Sequence, residues 1–339
     1  MPDVEPEVTT VGDDFAVVFW GGEWKRYPGL EPDTDHTFDG VSFRTLRRPP
    51  GERLATVATV NDVHFGETIC GYESNMPDAG PTFSSLPGEP PYPETMNGAA
   101  VEEIAAVDPD AVIVKGDLTN DGLDDEYEAF LRCYRGAFGD RMHHIRGNHD
   151  AYRGQTYAPE EHFCVDVPGA RLAVLDTTVP FAPNGGIELD QLEWLDDLAS
   201  DADRPVLVFG HHHPWAPGSK TRSATYFGIN PDDSEKLVSV AARHRSIAGY
   251  FAGHTHRNRV RRFADTGPMP WVEVACVKDF PGAWAEYRIF EGGILQLVHR
   301  IRRADALVWT ERTRGMFDGL YPGYAFGGLE DRCFVLPAR

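Results

Sequence analysis

The chain has 339 residues, room for one large domain or two unequal ones at roughly 150 residues each. An apolar content of 41% with 25% charged residues excludes wholesale disorder. The net charge of −21, with only five lysines among 32 basic residues, excludes broad binding to nucleic-acid backbones or anionic membranes. No apolar run approaches the ~18 residues of a membrane span, and the start Met1-Pro2-Asp3 lacks the basic and apolar regions of a secretory signal. The five cysteines are scattered and never in C-x-x-C spacing, so they read as free thiols of a soluble, cytoplasmic protein.

Residues 1–50 read as an acidic tail with a small β element: the first forty hold ten acids and two bases. Phe15–Trp20 is an apolar run closed by Gly21-Gly22, Val41–Leu46 alternates like a strand, and Pro49-Pro50-Gly51 breaks the chain. The β element is expected over 12–48 and the main domain over 51–302. Strand-length apolar runs then recur at Leu54–Val60, Ala111–Val114, Arg171–Leu175, Pro205–Phe209, Ile247–Phe251 and Trp271–Val277. Helical faces lie between them: Ala99, Val101, Ile104 and Ala105; Tyr127, Phe130, Leu131 and Tyr134; Leu192, Leu195 and Leu198; Leu237, Val240 and Ala241. This alternation predicts an α/β architecture with strands covered by helices. Residues 67–95 are rich in Gly, Pro and Ser and too long for an ordinary connection, which marks a functional or partly disordered loop. A hairpin-like pair, Glu286–Phe290 and Ile294–Ile301 around Gly292-Gly293, precedes a C-terminal extension at 303–339 without clear periodicity.

The chemistry stands at the strand ends. Leu54–Val60 leads into Asn61-Asp62-Val63-His64, and Ala111–Val114 into Lys115-Gly116-Asp117-Leu118-Thr119-Asn120. The short run before Gly147 delivers Asn148-His149-Asp150; Pro205–Phe209 delivers Gly210-His211-His212-His213-Pro214; Ile247–Phe251 delivers Gly253-His254-Thr255-His256. The ends of strands are where an open α/β sheet builds its site. Imidazole, carboxylate and amide oxygen without thiolate suit Mn, Fe, Co or Zn. One metal takes roughly three to six ligands and these motifs offer about twice that, which points to a pair sharing a carboxylate. Taken singly, each motif is blander: a solvated histidine pair, an Asx turn, a surface histidine run. Together, in order and all at strand ends, they point to a metal site.

The ordered set D-x-H, G-D-x-x-N, G-N-H-D, G-H-x(-H-P) and G-H-x-H resembles the calcineurin-like metallophosphoesterase superfamily over residues 54–300. Asp176-Thr177, Gly185-Gly186 and Gln191–Leu195 look like its class III cyclic-nucleotide phosphodiesterase and glycerophosphodiesterase branch. The stretches Pro28–Thr34 and Phe43–Leu46 are similar to the end of the fibronectin-like module that precedes purple acid phosphatase domains. The resemblance implies a four-layer α/β/β/α sandwich with one divalent metal on Asp62, His64, Asp117 and His256. A second would sit on Asp117, Asn148, His211 and His254, with Asp117 bridging. A metal-bridging hydroxide would attack phosphorus. His149 would face the phosphate or the leaving oxygen, and Asp150 would fix its tautomer. Purple acid phosphatases carry a tyrosine ligand where this chain has Asn120, so Asn120 is expected instead to orient Asp117 from behind.

Which of His211, His212 and His213 is the ligand depends on register. Gly210 before and Pro214 after favour His211, a strand would turn His212 to the opposite face, and His213 could line the substrate pocket. Arg257, Arg259 and Arg261 alternate onto one face that reads as solvated, with Lys220 and Arg222 in the loop after the histidines; the substrate-binding residues stay unassigned. The expected function is a phosphodiesterase acting on small diesters or cyclic nucleotides. The alternatives are a phosphomonoesterase or nucleotide pyrophosphatase at the same site, or a non-catalytic protein-binding scaffold of the same fold. The expected partner is a small phosphate ester, with the oligomeric state left open.

Overall fold

The computed structural model describes residues 5–72, 78–157, 162–223 and 225–337. The start of the acidic tail, the middle of the 67–95 loop and the end of the C-terminal extension therefore lie outside the described residues. Five strands come first: β1 (Glu7–Val11), β2 (Phe15–Trp20), β3 (Glu23–Pro28), β4 (Asp35–Phe38) and β5 (Val41–Arg44). The middle of the chain holds β6 (Arg53–Val60), α1 (Tyr92–Ala106), β7 (Ala111–Lys115), α2 (Asp124–Phe138), β8 (Met142–Ile145), α3 (Asn148–Ala151), β9 (His162–Val167), β10 (Ala170–Leu175), α4 (Leu189–Ser200), β11 (Val206–Phe209), α5 (Pro231–Arg243) and β12 (Ile247–Ala252). After it come β13 (Arg259–Arg261), β14 (Trp271–Glu273), β15 (Ala283–Phe290), β16 (Gly293–Arg300), α6 (Ala304–Thr313), α7 (Tyr321–Ala325), α8 (Leu329–Arg332) and β17 (Cys333–Pro337).

Two six-stranded sheets form the centre. The first runs β17-β16-β15-β6-β7-β8 and the second β13-β14-β12-β11-β10-β9. Strand alternation sorts the apolar residues into three cores. Val57, Ile113, Leu172, Val174, Leu207, Phe209 and Phe251 face inward and pack one sheet on the other. Ala58, Val60, Val112 and Val114 face outward beneath residues of α1, α2 and α6. Ala173, Leu175, Val206 and Val208 do the same beneath α4 and α5. Strands buried on both faces read as unbroken apolar runs, which is why their positions are plain in the sequence. The expected α/β/β/α layering is what the chain forms.

Three regions depart from expectation. Trp271–Val277 is strand only to Glu273, because the chain turns there to lead into the site. The loop after β6 is no free excursion: Cys70 and Phe83 exchange backbone hydrogen bonds of 2.8 and 2.9 Å, and the Arg312 guanidinium donates to the Ser84 carbonyl at 2.8 Å. Phe83 packs against the first outer core while Tyr72 stays exposed. The C-terminal extension holds α6, two short helices and β17, which closes the edge of the first sheet on β16. Among the described residues no helix is long and apolar enough to cross a membrane.

The three-stranded β1-β2-β3 sheet docks through Phe15, Val17 and Phe19 on Leu295 and Leu297 of the first sheet and on Leu307 of α6. A buried ion cluster seals this joint. Glu286, 1% exposed, accepts from Arg288 Nε at 2.7 Å and lies 2.8 Å from His299 Nε2, and Arg288 also reaches Asp13 at 3.3 Å. Burial pushes the Glu286 carboxyl up, but the hydrogen bond and charge of His299, then the charge of Arg288, outweigh it and hold it at about 2 against the usual 4.5. Removing one partner of a buried pair leaves the others uncompensated, so Glu286→Ala should lose about 3–5 kcal/mol of unfolding free energy at neutral pH. A depressed carboxyl contributes fully above its unfolded value, and that contribution drains away as pH falls from about 4.5 towards 2. Urea unfolding of parent and variant should therefore show a gap that closes in that window; a gap independent of pH would contradict it.

Candidate metal centre

The parallel runs β6-β7-β8 and β10-β11-β12 end on the same edge of the sandwich, so five motifs from two sheets converge there. The sheets are sewn together at that edge. Asp62, after β6, accepts the amide of His254, after β12, at 3.0 and 3.1 Å. The fully buried Lys115 at the end of β7 donates Nζ to the Ala252 carbonyl at 2.9 Å. Its own carbonyl accepts His211 Nδ1–H at 2.8 Å.

Turning side chains inward this sharply needs unusual backbone. Asp62, His64, Asp117, His254 and His256 all lie in the left-handed region, with φ of 54, 46, 51, 68 and 54°. Non-glycine residues seldom adopt it, and clusters of them mark functional sites. The flanking glycines make the close approach possible: a Cβ on Gly116, at φ +85°, would lie 2.6 Å from His211 Nδ1.

Asp117 stands at the middle. Its Oδ2 lies 3.5 Å from His64 Nε2 and 3.4 Å from His211 Nε2. His211 Nε2 is 3.1 Å from Asn148 Oδ1, and His256 Nε2 is 3.5 Å from Asp62 Oδ1. Ligand atoms about 2.1 Å from one ion at tetrahedral angles sit about 3.4 Å apart, so these separations suit shared coordination. The Nε2 atoms of His64 and His254 are buried with no hydrogen-bond partner among the described residues. A buried lone pair without a donor is costly, and a cation would satisfy it. Burial, then the nearby Lys278, pushes His64 down to about 4. Burial, then His212 and His211, holds His254 well below the imidazole range. Both rings are thus neutral, the form that binds metal. Burial opposes charge on His211, but Asp117 outweighs it and holds the proton there up to about 9, where a cation would replace it. The donor set therefore fits divalent metals: donor atoms of Asp62, His64 and His256, of Asp62, Asp117 and His211, of His64, Asp117 and His149, and of His211, His212 and His254 each lie close enough together to hold a cation.

Around the ligands the sequence reading needs correcting. Asp150 does not hold His149: its carboxylate accepts the amides of Leu118, Thr119 and Gly147 at 3.0, 2.8 and 2.7 Å and the Thr119 hydroxyl at 2.6 Å. It clamps two motif loops together. His149 Nδ1–H instead donates to the Asn120 carbonyl at 2.7 Å, and its ring edge lies against His64. Asn120 thus acts through its main chain on His149, not on Asp117, whose Oδ1 accepts the His149 amide at 3.0 Å. His212 is not turned away from the site: its ring packs behind His211 and His254, with Nδ1 2.9 Å from Thr177 Oγ1. His213 is buried beside Tyr226. Arg257 and Arg261 are not a solvated face, because both pair with the buried Glu273, at 2.8 and 3.3 Å.

Residues absent from the sequence reading also shape the site. Tyr152 Oη accepts Asn148 Nδ2–H at 2.7 Å, which points the amide oxygen at His211. The exposed Phe227 lies with its ring centre 4.0 Å from that of His254. Asp279, 2% exposed, faces His256 Nδ1 at 3.7 Å. The strand-end rule that found the other motifs reaches Asp279 too, since it follows the run Trp271–Val277.

Comparison with known proteins agrees with this geometry. The chain is 30% identical over 156 residues to a probable cyclic nucleotide phosphodiesterase of a Synechococcus species, spanning 44% of this chain and 58% of that one. It is 27% identical over 234 residues to a probable glycerophosphodiester phosphodiesterase of Arcobacter nitrofigilis, spanning 64% and 82%. The fold resembles a Danio rerio dimetal phosphatase, with a TM-score of 0.54 at 16% identity over 74% of this chain and 98% of that one. The sequence profile of the calcineurin-like phosphoesterases matches residues 55–258, more than half of the chain, and the chain therefore belongs to the calcineurin-like phosphoesterase family.

Proposed function

We propose that this chain is a binuclear metal-dependent phosphodiesterase acting on small diesters, cyclic nucleotides among them. The observation that carries the reading is the central Asp117 carboxylate, with imidazole nitrogens at 3.4 and 3.5 Å and the unpartnered Nε2 atoms of His64, His212 and His254 close by. Asp62, His64, Asp117 and His256 would hold one ion; Asp117, Asn148, His211 and His254 the other. Such a pair supplies charge for the phosphoryl oxygens and acidifies water to a nucleophile near neutral pH. The phosphodiesterase names of the relatives from Synechococcus and Arcobacter support diesters over monoesters.

The chain's own residues supply the rest. Lys115 O fixes the proton of His211 on Nδ1, leaving Nε2 as the donor atom. Tyr152 sets the Asn148 amide. His149, tied through Nδ1–H to Asn120 O, is left with Nε2 to meet the substrate, where it would donate to a phosphoryl or leaving oxygen. All five cysteines are unpaired, in keeping with a reducing compartment such as the cytoplasm.

Metal dependence, substrate preference and single variants test the reading. Chelation should abolish hydrolysis of bis(p-nitrophenyl) phosphate and cyclic AMP, and Mn should restore it at least in part. Diesters should outpace p-nitrophenyl phosphate; a faster monoester would move the substrate class, and fewer than one bound metal per chain would favour a scaffold. His149→Ala should lower turnover about 10²–10⁴-fold at near-parental metal content, with a smaller loss on esters with good leaving groups. Asn120→Ala keeps the carbonyl that holds His149 and should stay within a few-fold of the parent; an equal loss in both would show that the Asn120 side chain acts at the site. His211→Ala should lose one of two metals while His212→Ala keeps both, and two-metal occupancy in His211→Ala would overturn the register.

A further inference from the structure

The G-H-T-H loop is held from behind by a part of the chain that lies beyond residue 258, where the family match ends. Three hydrogen bonds join it directly to the segment around α7, and a fourth contact runs through Asp279. Tyr324 Oη–H donates to the Thr255 carbonyl at 2.9 Å, and the Asn258 amide donates to the Ala325 carbonyl at 2.9 Å. The Asn258 side-chain amide reaches the Phe326 carbonyl at 3.1 Å. The fourth contact is indirect: Tyr321 Oη–H donates to Asp279 Oδ1 at 2.8 Å, and Asp279 Oδ2 faces His256 Nδ1.

His256 needs such a partner. For Nε2 to offer a lone pair beside Asp62, the ring must carry its proton on Nδ1, and a buried N–H requires an acceptor. His211 meets that need with a neutral backbone carbonyl at 2.8 Å; on His256 the Asp279 carboxylate faces Nδ1 at 3.7 Å, an ion-pair separation from which a small ring rotation would make the hydrogen bond. A carboxylate partner fixes the tautomer and raises the basicity of the ligating nitrogen. Asp279 is itself immobilised: besides Tyr321, the Cys276 thiol donates to Oδ1 at 2.9 Å and the Cys70 thiol lies 3.6 Å from Oδ2. The turn that carries it is anchored by α6, through Trp309 Nε1–H to the Lys278 carbonyl at 2.7 Å and the Phe280 amide to Thr313 Oγ1 at 3.0 Å.

We infer that Asp279, held by Tyr321 of the C-terminal extension, is a positioning residue that orients His256 and sets the affinity of the metal on Asp62, His64 and His256. The extension is thus a working part of the metal site. The inference rests on the dimetal reading, and the experiment separates the two. Metal-free parent protein titrated with Mn by calorimetry, with elemental analysis of the loaded form, must bind two ions; fewer than two defeats the dimetal reading and this inference with it.

Given two, Asp279→Asn keeps the shape and removes the charge. It should weaken one of the two binding events about 10–100-fold and leave the other within twofold, at an unchanged far-ultraviolet spectrum. Parental affinity for both ions, or an equal fall at both, overturns the inference while the dimetal reading stands. Tyr321→Phe deletes one hydroxyl and keeps the ring, so it serves if Asp279→Asn does not fold. Weakening of the same single event, on the order of threefold, supports the role of the extension, and no change or a change at both events overturns it.

Discussion

The contact from the Asp62 carboxylate to the His254 amide is the one on which the rest of the site depends, because it joins two sheets that share no hydrogen-bonded strand. The clustered carboxylates and imidazoles come from both sheets, and a slip of one layer over the other would separate Asp117 from His211. The inter-sheet core resists that slip. Tyr287 of the first sheet meets Phe209 and Phe251 of the second edge to face, and aromatic pairs of this kind hold orientation as well as area. Lys115 completes the seam. A buried ammonium with a carbonyl at 2.9 Å would be costly in an ordinary core. Here it lies close enough to Asp62 for that charge to favour its protonated form, although burial works harder in the other direction and brings it down to about 7.

Asp62, His64, Asp117, His254 and His256 in left-handed backbone add strain, each about 1–2 kcal/mol above the right-handed form. The surrounding clamps show how the fold holds them. Asp150 ties the Leu118 and Thr119 amides to the turn at Gly147, so the loops that carry Asp117 and Asn148 are held as one piece. Glu273 gathers Arg257 and Arg261 and stiffens the chain directly after His256. Rigid loops of this kind keep donor atoms in place before any ion binds, which reduces the cost of assembling the site.

Much of this could be read from residues alone. A strand buried on both faces announces itself as an apolar run, and the polar residue just past its end has nowhere to go but the sheet edge; Asp62, Asp117, Asn148, His211 and His254 follow from that. Roles carried by the main chain could not be read. Asn120 works through a carbonyl that any residue possesses, and Asp150 spends its carboxylate on amides whose location depends on two loops meeting. Arg257 and Arg261 looked solvated because Glu273 comes to them from β14, paired antiparallel with β13, a register no local pattern reveals. The extension is legible least of all: its short helices draw their order from Asp279, Thr255 and Asn258, not from a periodicity of their own.

The pairing of β15 with β6 has a consequence for synthesis. Asp62 follows a strand whose neighbours are β7, made soon after it, and β15, spanning Ala283–Phe290. A nascent chain on the ribosome can assemble β6, β7 and β8 with their helices, and the Asp62 and Asp117 loops with them. The other flank of β6 stays an open, apolar edge until residues 283–290 emerge, and His254 and His256 belong to the second sheet, which is also late. During that interval the unfinished protein exposes carboxylates, a histidine and a bare strand edge together. The joint between the Asp62 and His254 loops therefore closes only after this late segment has been made.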